Sequence, residues 1–379
     1  MKTSSYTTAL GAVALTLSAA AAGAGGIDRS SQSVGILFEE GRYVELSMGG
    51  FAPEVSGSLG GAASGDMAGD WSSVSIAYKQ AFGDKIDVAL IFDQPIGADI
   101  DYPAGTPYPY SGSTATIDSN AITALMRYKL PSNFSIIGGM RALRTSGKVM
   151  LPPVVGYRMS TSTETDVGYI VGVAWEKPEI AARVALTYNS KITHDFDATE
   201  TTLAPLPGLA AGTYNTAFST NVPQSVNLEF QSGIAKDTLL FGSVRWVDWS
   251  DFVIRPTTYV GAINGLVTAG AIPAGTNRNL VDYNKSTITY TLGLGRKFNE
   301  TWSGAVIASY EPQGNSPTGN LGPHDGMAAL GVAATWKHEN VKVTGMVRYV
   351  SIGDATTQQG ARFSGNSGWG AGVRVGISF

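Results

Sequence analysis

The sequence predicts an all-β fold, a transmembrane antiparallel β-barrel of about fourteen strands with a short N-terminal hatch in its lumen. Three observations predict it. Segments of roughly ten residues alternate apolar with small or polar side chains, the period-two pattern of strands. The connections between those segments alternate short and long. The 379 residues are 43% hydrophobic but only 15% charged, where a soluble domain carries about 25% charge.

The same composition removes several classes of function. With 26 Lys+Arg against 30 Asp+Glu the net charge is −4, so there is no basic footprint for nucleic acid. The chain has no cysteine, which excludes a disulfide scaffold, a thiolate nucleophile and a zinc–thiolate site. Mean hydropathy is +0.04.

Residues 1–24 read as a secretory signal peptide. Lys2 supplies a basic start, GAVALTLSAAAA (11–22) an apolar core, and A-x-A sites end at Ala22 and Ala24, so cleavage is expected after either. Beyond this segment no run of about 20 apolar residues occurs, and no spanning helix is expected. The mature chain divides into a hatch at 25–41 and a barrel at 42–379.

Fourteen strand segments follow, at 42–51, 71–82, 85–93, 120–130, 133–145, 166–177, 179–190, 224–235, 237–249, 286–298, 301–311, 326–338, 341–352 and 369–379. Ten residues per tilted strand is the length that crosses a bilayer. The links at Gly83-Asp84, Pro131-Ser132, Pro178, Lys236, Asn299-Glu300 and Glu339-Asn340 are tight. Those on the opposite side are long and rich in Gly, Pro and Ser. Short turns at one rim and long loops at the other describe an outer-membrane barrel with periplasmic turns and external loops.

The strand faces agree. Val74, Ile76 and Tyr78 alternate with Ser73, Ser75 and Lys79, and Val373, Val375 and Ile377 alternate with Gly372, Arg374 and Gly376. Aromatic residues gather at strand ends, Phe134, Phe298 and Trp302 by the turns and Tyr310, Tyr349 and Trp369 by the loops. These are the expected interfacial girdles.

Turning the apolar face to lipid turns Arg127, Arg141, Arg183, Arg245, Arg348 and Arg374 inward, with Glu45, Asp87 and Glu229 as the main inward acids. Two roles are open. Either the charges pair across a wet lumen and brace it, or the guanidinium groups hold an anion such as a carboxylate. The segment GGIDRSSQSVGILFEEG (25–41) has an apolar patch, Val34, Ile36, Leu37 and Phe38, flanked by charges and without a wall-forming alternation. It reads as a plug whose Glu39 and Glu40 are available to the arginines, or else as a periplasmic tail. The long loops carry apolar stretches at 149–157, 203–212 and 259–272. Such patches mark a binding surface or loops that pack on one another.

Several of these segments resemble the FadL/TodX family of outer-membrane transporters for hydrophobic compounds: 25–47, VPQSVNLEF (222–230), VRWVDWSDF (244–252), GNLGPHDGMAALGVAATW (319–336) and RYVSIGDA (348–355). The resemblance covers the mature chain, although no Asn-Pro-Ala motif follows the hatch. It implies a monomeric fourteen-strand barrel that takes up long-chain fatty acids or aromatic hydrocarbons. Release would be sideways through a gap beside strand 3, where Asp93-Gln94-Pro95 closes that strand. Candidate ligand-binding residues are Val34, Ile36, Leu37 and Phe38 as an apolar trough and Arg183, Arg245, Arg348 and Arg374 for a head group, with Arg348 and Arg374 favoured. The expected partners are a hydrophobic small molecule and outer-membrane lipid.

An enzyme is not expected. The histidines, His194, His324 and His338, read as solvated loop or turn residues; a metal at 194–197 is the alternative. No Gly-x-Ser-x-Gly elbow and no strong ligand spacing occurs, and no cofactor or metal is expected. General diffusion porin and structural surface protein are the competing functions.

Overall fold

The structure, a computed structural model, describes residues 27–283, 285–314 and 316–379; the expected signal peptide lies outside them. Its wall is formed by β1 (Arg42–Glu54), β2 (Trp71–Phe82), β3 (Ile86–Asp93), β4 (Thr114–Lys129), β5 (Phe134–Leu151), β6 (Glu164–Lys177) and β7 (Ala182–Asn189). The second half comprises β8 (Ser225–Ala235), β9 (Thr238–Val247), β10 (Thr287–Lys297), β11 (Trp302–Glu311), β12 (Met327–His338), β13 (Val341–Ile352) and β14 (Ser367–Ser378). Neighbours pair antiparallel, and β1 closes the cylinder by pairing with β14 from Tyr43↔Ser378 to Glu54↔Ser367. Closure is what a bilayer demands, since backbone polar groups in hydrocarbon must be satisfied within the protein.

Alternation fixes which face meets lipid. Leu46, Ile76, Leu90, Met126, Val173, Leu292, Val332 and Val373 are exposed on the outer wall, while Ser47, Ala77, Asp87, Arg127 and Arg374 are buried inside. The girdle residues Phe134, Phe298, Trp302, Tyr310 and Trp369 are also exposed, and Tyr349 packs on Trp369 with ring centroids 5.1 Å apart. At the short-turn rim the chain reverses through left-handed residues such as Asp237 (φ 57°) and Glu339 (φ 50°).

The outer side is more ordered than the sequence suggests. β4 and β5 start and end about six residues further out than the alternation indicates. The expected loop after β7 contains a hairpin, Ile192–Thr202 with Gly212–Val222, which pairs with Tyr157–Thr161. The next long loop carries a helix, α1 (Thr257–Thr268). The first and last long loops share a small sheet in which Gly57–Leu59 pairs with Arg362–Phe363.

The hatch turns through a short 3-10 helix, Gly35–Phe38, inside the lumen. Val34, Ile36 and Leu37 are buried against small or apolar inward residues of the β2–β7 wall, including Ala77, Ala89, Leu125, Ile137 and Ala185. These contacts fill one side of the lumen and leave the β8–β13 side open.

Candidate functional site

Among the described residues the barrel wall is interrupted beside β3. The β2–β3 ladder ends at Ile76↔Phe92. Beyond it, β2 residues 71–75 have no backbone partner on that side among the described residues, roughly 17 Å of strand at about 3.4 Å per residue. Pairing resumes further out, where the Gly69 N–H donates to Asp99 O (3.0 Å) and the Asp101 N–H to Met67 O (3.0 Å). The result is a window bounded above and below. Its origin is a bulge in register: Asp93 faces Ala121 and Ala98 faces Ile117, so four residues, 94–97, oppose only three on β4. Pro95 has no N–H for a ladder, and the chain turns inward here. The Gln94 side chain accepts the otherwise unpaired Val74 N–H (3.3 Å).

The inward turn is tied to the start of the hatch. The Arg29 N–H donates to Pro95 O (2.8 Å), and the Gly97 N–H donates to Ile27 O (2.9 Å). The Arg29 guanidinium lies in the window, its Cζ 4.9 Å from the Trp71 ring centroid. Gly97 leaves room for that guanidinium, since a Cβ at that position would sit 2.4 Å from Arg29 Cζ and displace it.

Three cavities with largely apolar lining lead towards this window. The outermost, about 240 Å³, lies among the long loops and is lined by Leu151, Val154, Ile263, Leu266, Leu280 and Leu321. An inner pocket of about 60 Å³ shares Leu280 and Leu321 with it and adds Ile27, Phe196, Phe218 and Phe252. A third, about 150 Å³, shares Ile27, Ala98 and Ile100 with the inner pocket and reaches Trp71 and Gly97 at the window. The shared residues place the three side by side in a series from the loops to the wall, the last of them also lined by Asp28, Arg29, Asp99 and His324.

The loop assembly is held by a buried carboxylate. Glu200, fully buried, accepts the backbone N–H groups of Thr258 (3.1 Å) and Tyr259 (3.0 Å) and hydroxyls from Tyr157 (2.7 Å) and Thr216. It thus caps the N-terminus of α1, where N–H groups lack intrahelical partners and the dipole favours a negative charge. Burial and the Glu200 carboxylate push the Tyr157 hydroxyl pKa up.

The candidate arginines divide. Arg183, Arg245 and Arg348 line one lumen cavity of about 150 Å³ on the open side, which shares no lining residue with the apolar series. Arg245 is committed to the hatch, contacting Asp28 Oδ2 through Nη2 (2.8 Å) and Nε (3.0 Å). Arg183 and Arg127 flank the Phe38 ring, with Cζ atoms 4.4 and 4.3 Å from its centroid. Arg374 lies elsewhere, bridging Glu45 (3.2 Å) and Ser47 (3.3 Å) between β14 and β1. Val34, Ile36 and Leu37 face the barrel wall rather than a cavity. Glu39 meets Lys342 (3.0 Å) instead of an arginine, Glu40 is exposed, and Glu229 receives the Ser33 hydroxyl (2.5 Å) and the Val34 N–H (3.3 Å) from the hatch.

His194 corrects the expectation of solvated histidines. It is fully buried in the hairpin, between Asp166 (Nδ1 to Oδ2, 2.7 Å) and Thr145 (Nε2 to Oγ1, 3.1 Å). A solvated reading missed it because its partners lie 28 and 49 residues away.

The profile of the family described as outer membrane protein transport protein (OMPP1/FadL/TodX) matches residues 40–314. Comparison with curated protein sequences gave no match. Among solved structures, a FadL homologue of Pseudomonas aeruginosa is 13% identical and superposes with a TM-score of 0.72 over 91% of this chain and 92% of that one. The Pseudomonas putida toluene transporter TodX is 11% identical, with a TM-score of 0.64 over 97% and 98% of the two chains. The Ralstonia pickettii toluene transporter TbuX is 12% identical, with a TM-score of 0.60 over 90% of each. At these identities the superpositions establish the barrel fold, and the profile, spanning well over half of the chain, establishes the family. The chain belongs to the FadL/TodX family of outer-membrane transport proteins.

Proposed function

We propose that the protein carries hydrophobic compounds passively across the outer membrane and releases them sideways into the bilayer through the window between β2 and β3. The observation that carries this reading is the succession of three adjoining, largely apolar cavities from the outer loops to Trp71 and Gly97. An apolar solute gains by staying out of water along that whole series, and a general porin has no need of it. The route begins and ends on one chain, so a monomer suffices. Its partners are the hydrophobic molecule and membrane lipid, and no reaction step is assigned.

The finer proposal concerns cargo. Long-chain fatty acids fit a protein in which Arg183 and Arg348 present guanidinium groups to one lumen cavity, since that group suits a carboxylate.

Deletion of Pro95 tests the exit. It removes the extra residue, so Gln94, Ile96 and Gly97 fall opposite Asn120, Ser119 and Asp118, and a straight strand can pair with β2 through 71–75. The expected result is a folded barrel with heat-modifiable gel mobility that no longer supports uptake of labelled oleate or toluene by cells. Uptake at the wild-type rate would place the exit elsewhere.

A further inference from the structure

The inner pocket is mainly apolar, with Thr116, Ser146, Lys148 and Thr161 among its less buried lining, and three buried polar side chains from separate strands meet in it. Thr145 comes from β5; His194 and Thr220 come from the two strands of the outer hairpin, where they face each other directly in the register. Thr145 is 6% exposed, Thr220 is 7% exposed and His194 is fully buried.

Asp166 and a neutral His194 ring together set their hydrogen-bond roles. Its carboxylate only accepts, so His194 Nδ1, 2.7 Å away, carries a hydrogen. In the neutral ring Nε2 is then an acceptor, and the Thr145 hydroxyl, 3.1 Å away, donates to it. Thr145 has thereby spent its proton and keeps oxygen lone pairs to offer the pocket. Thr220 Oγ1 is buried with no hydrogen-bond partner among the described residues. Buried hydroxyls are normally paired, and this one lines a cavity rather than a closed core. The pocket therefore presents an acceptor held by a relay beside an unpaired hydroxyl able to donate.

We propose that the inner pocket selects hydrophobic compounds carrying one neutral O–H group, such as a phenol, over hydrocarbons of the same shape. The ligand hydroxyl donates to Thr145 Oγ1 and accepts from Thr220 Oγ1, while its ring or chain occupies the space between Ile27, Phe196, Phe218 and Phe252. A protonated carboxyl satisfies the same pair. A carboxylate does not, because the Thr145 lone pairs and the Asp166 charge behind His194 oppose an anion; the ammonium of Lys148 belongs to an exposed rim residue. The inference deepens the uptake reading and rests on the inner pocket lying on the route.

Toluene and para-cresol differ only by the hydroxyl and form the test pair, with binding to purified protein measured by calorimetry. Wild type is expected to bind para-cresol at least as tightly as toluene, although the hydroxyl must leave water. Thr220→Val keeps the side-chain shape and is expected to weaken para-cresol about tenfold, the effect of one lost hydrogen bond, without weakening toluene. If Thr220→Val does not fold, Thr145→Val gives the same comparison. An unchanged para-cresol affinity, or an equal loss for both compounds, overturns the proposal, the latter showing a disturbed pocket. The two readings fail differently. If toluene uptake still depends on the window but para-cresol has no advantage, only the O–H selection is wrong. If neither compound binds wild type and closing the window does not affect uptake, the uptake reading itself is wrong.

Discussion

Removing the Asp28 carboxylate should let the hatch leave the lumen intermittently. Asp28 Oδ2 receives two hydrogen bonds from Arg245, at 2.8 and 3.0 Å, and each side chain of the pair is only 10% exposed. In Asp28→Ala the guanidinium keeps Ser225 (3.2 Å) and Asn227 (2.9 Å) but loses its counter-charge. Breaking a buried pair costs about 3–5 kcal/mol; in a lumen next to water the lower end applies, and about 3 kcal/mol raises the undocked population roughly a hundredfold. Other anchors remain: Gln32 on Arg141 (2.5 Å), Ser31 O on Asn227 (2.9 Å), and the bonds of Ser33 and Val34 to Glu229. The hatch should therefore open more often without staying open. In planar bilayers wild type is expected to be quiet, Asp28→Ala to show brief openings, and a variant lacking residues 25–41 to conduct steadily. A silent Asp28→Ala beside a conducting deletion would refute the assignment of Asp28 as an anchor. A steady wild-type current would refute the plug.

Glu200→Ala should release the N-terminus of α1, since it removes the carboxylate that accepts from two N–H groups and two hydroxyls at once. Chymotrypsin is expected to cut at Tyr259 faster than in wild type while the barrel stays intact, and unchanged cleavage would count against the cap. Gly97→Ala should push Arg29 off Trp71 and raise the initial rate of toluene uptake; an equal or lower rate would mean that Arg29 does not obstruct the window. Arg183→Ala and Arg348→Ala should each weaken palmitate binding by about ten- to a hundredfold, the loss of a charge-assisted bond worth roughly 1.5–3 kcal/mol, without affecting toluene. Intact palmitate affinity in both would leave these arginines a bracing role.

The barrel was legible because lipid imposes a simple rule on each strand. Ile76, Leu90 and Val373 face hydrocarbon whatever their neighbours are, so alternation alone reveals them. The outer hairpin also alternates, with 192, 194, 196, 198 and 200 buried, but its inner face carries His194 and Glu200. Those residues look solvated until Asp166, Thr145 and the end of α1 are brought to them. The helix itself lacks a local start signal: Pro256 precedes it with no capping side chain, and the cap arrives from a different loop. The window was half visible. Pro95 marks where β3 stops, but the extra residue exists only by comparison with β4, and pairing between strands is not written in either strand alone. The apolar patch of the hatch was plain, whereas its destination depends on alanines at 77, 89, 174 and 185 scattered across four strands.

The central claim is that a hydrocarbon cargo, with no head group for the arginines, travels the series of loop cavities to the window and not the arginine-lined lumen. Crystals soaked with para-bromotoluene test it most directly, because the anomalous signal of bromine locates the compound without assumptions about its path. The account expects bromine in the inner pocket beside Phe196 and Phe252 and behind the window beside Trp71. Bromine found only in the cavity between Arg183 and Arg348 would contradict it.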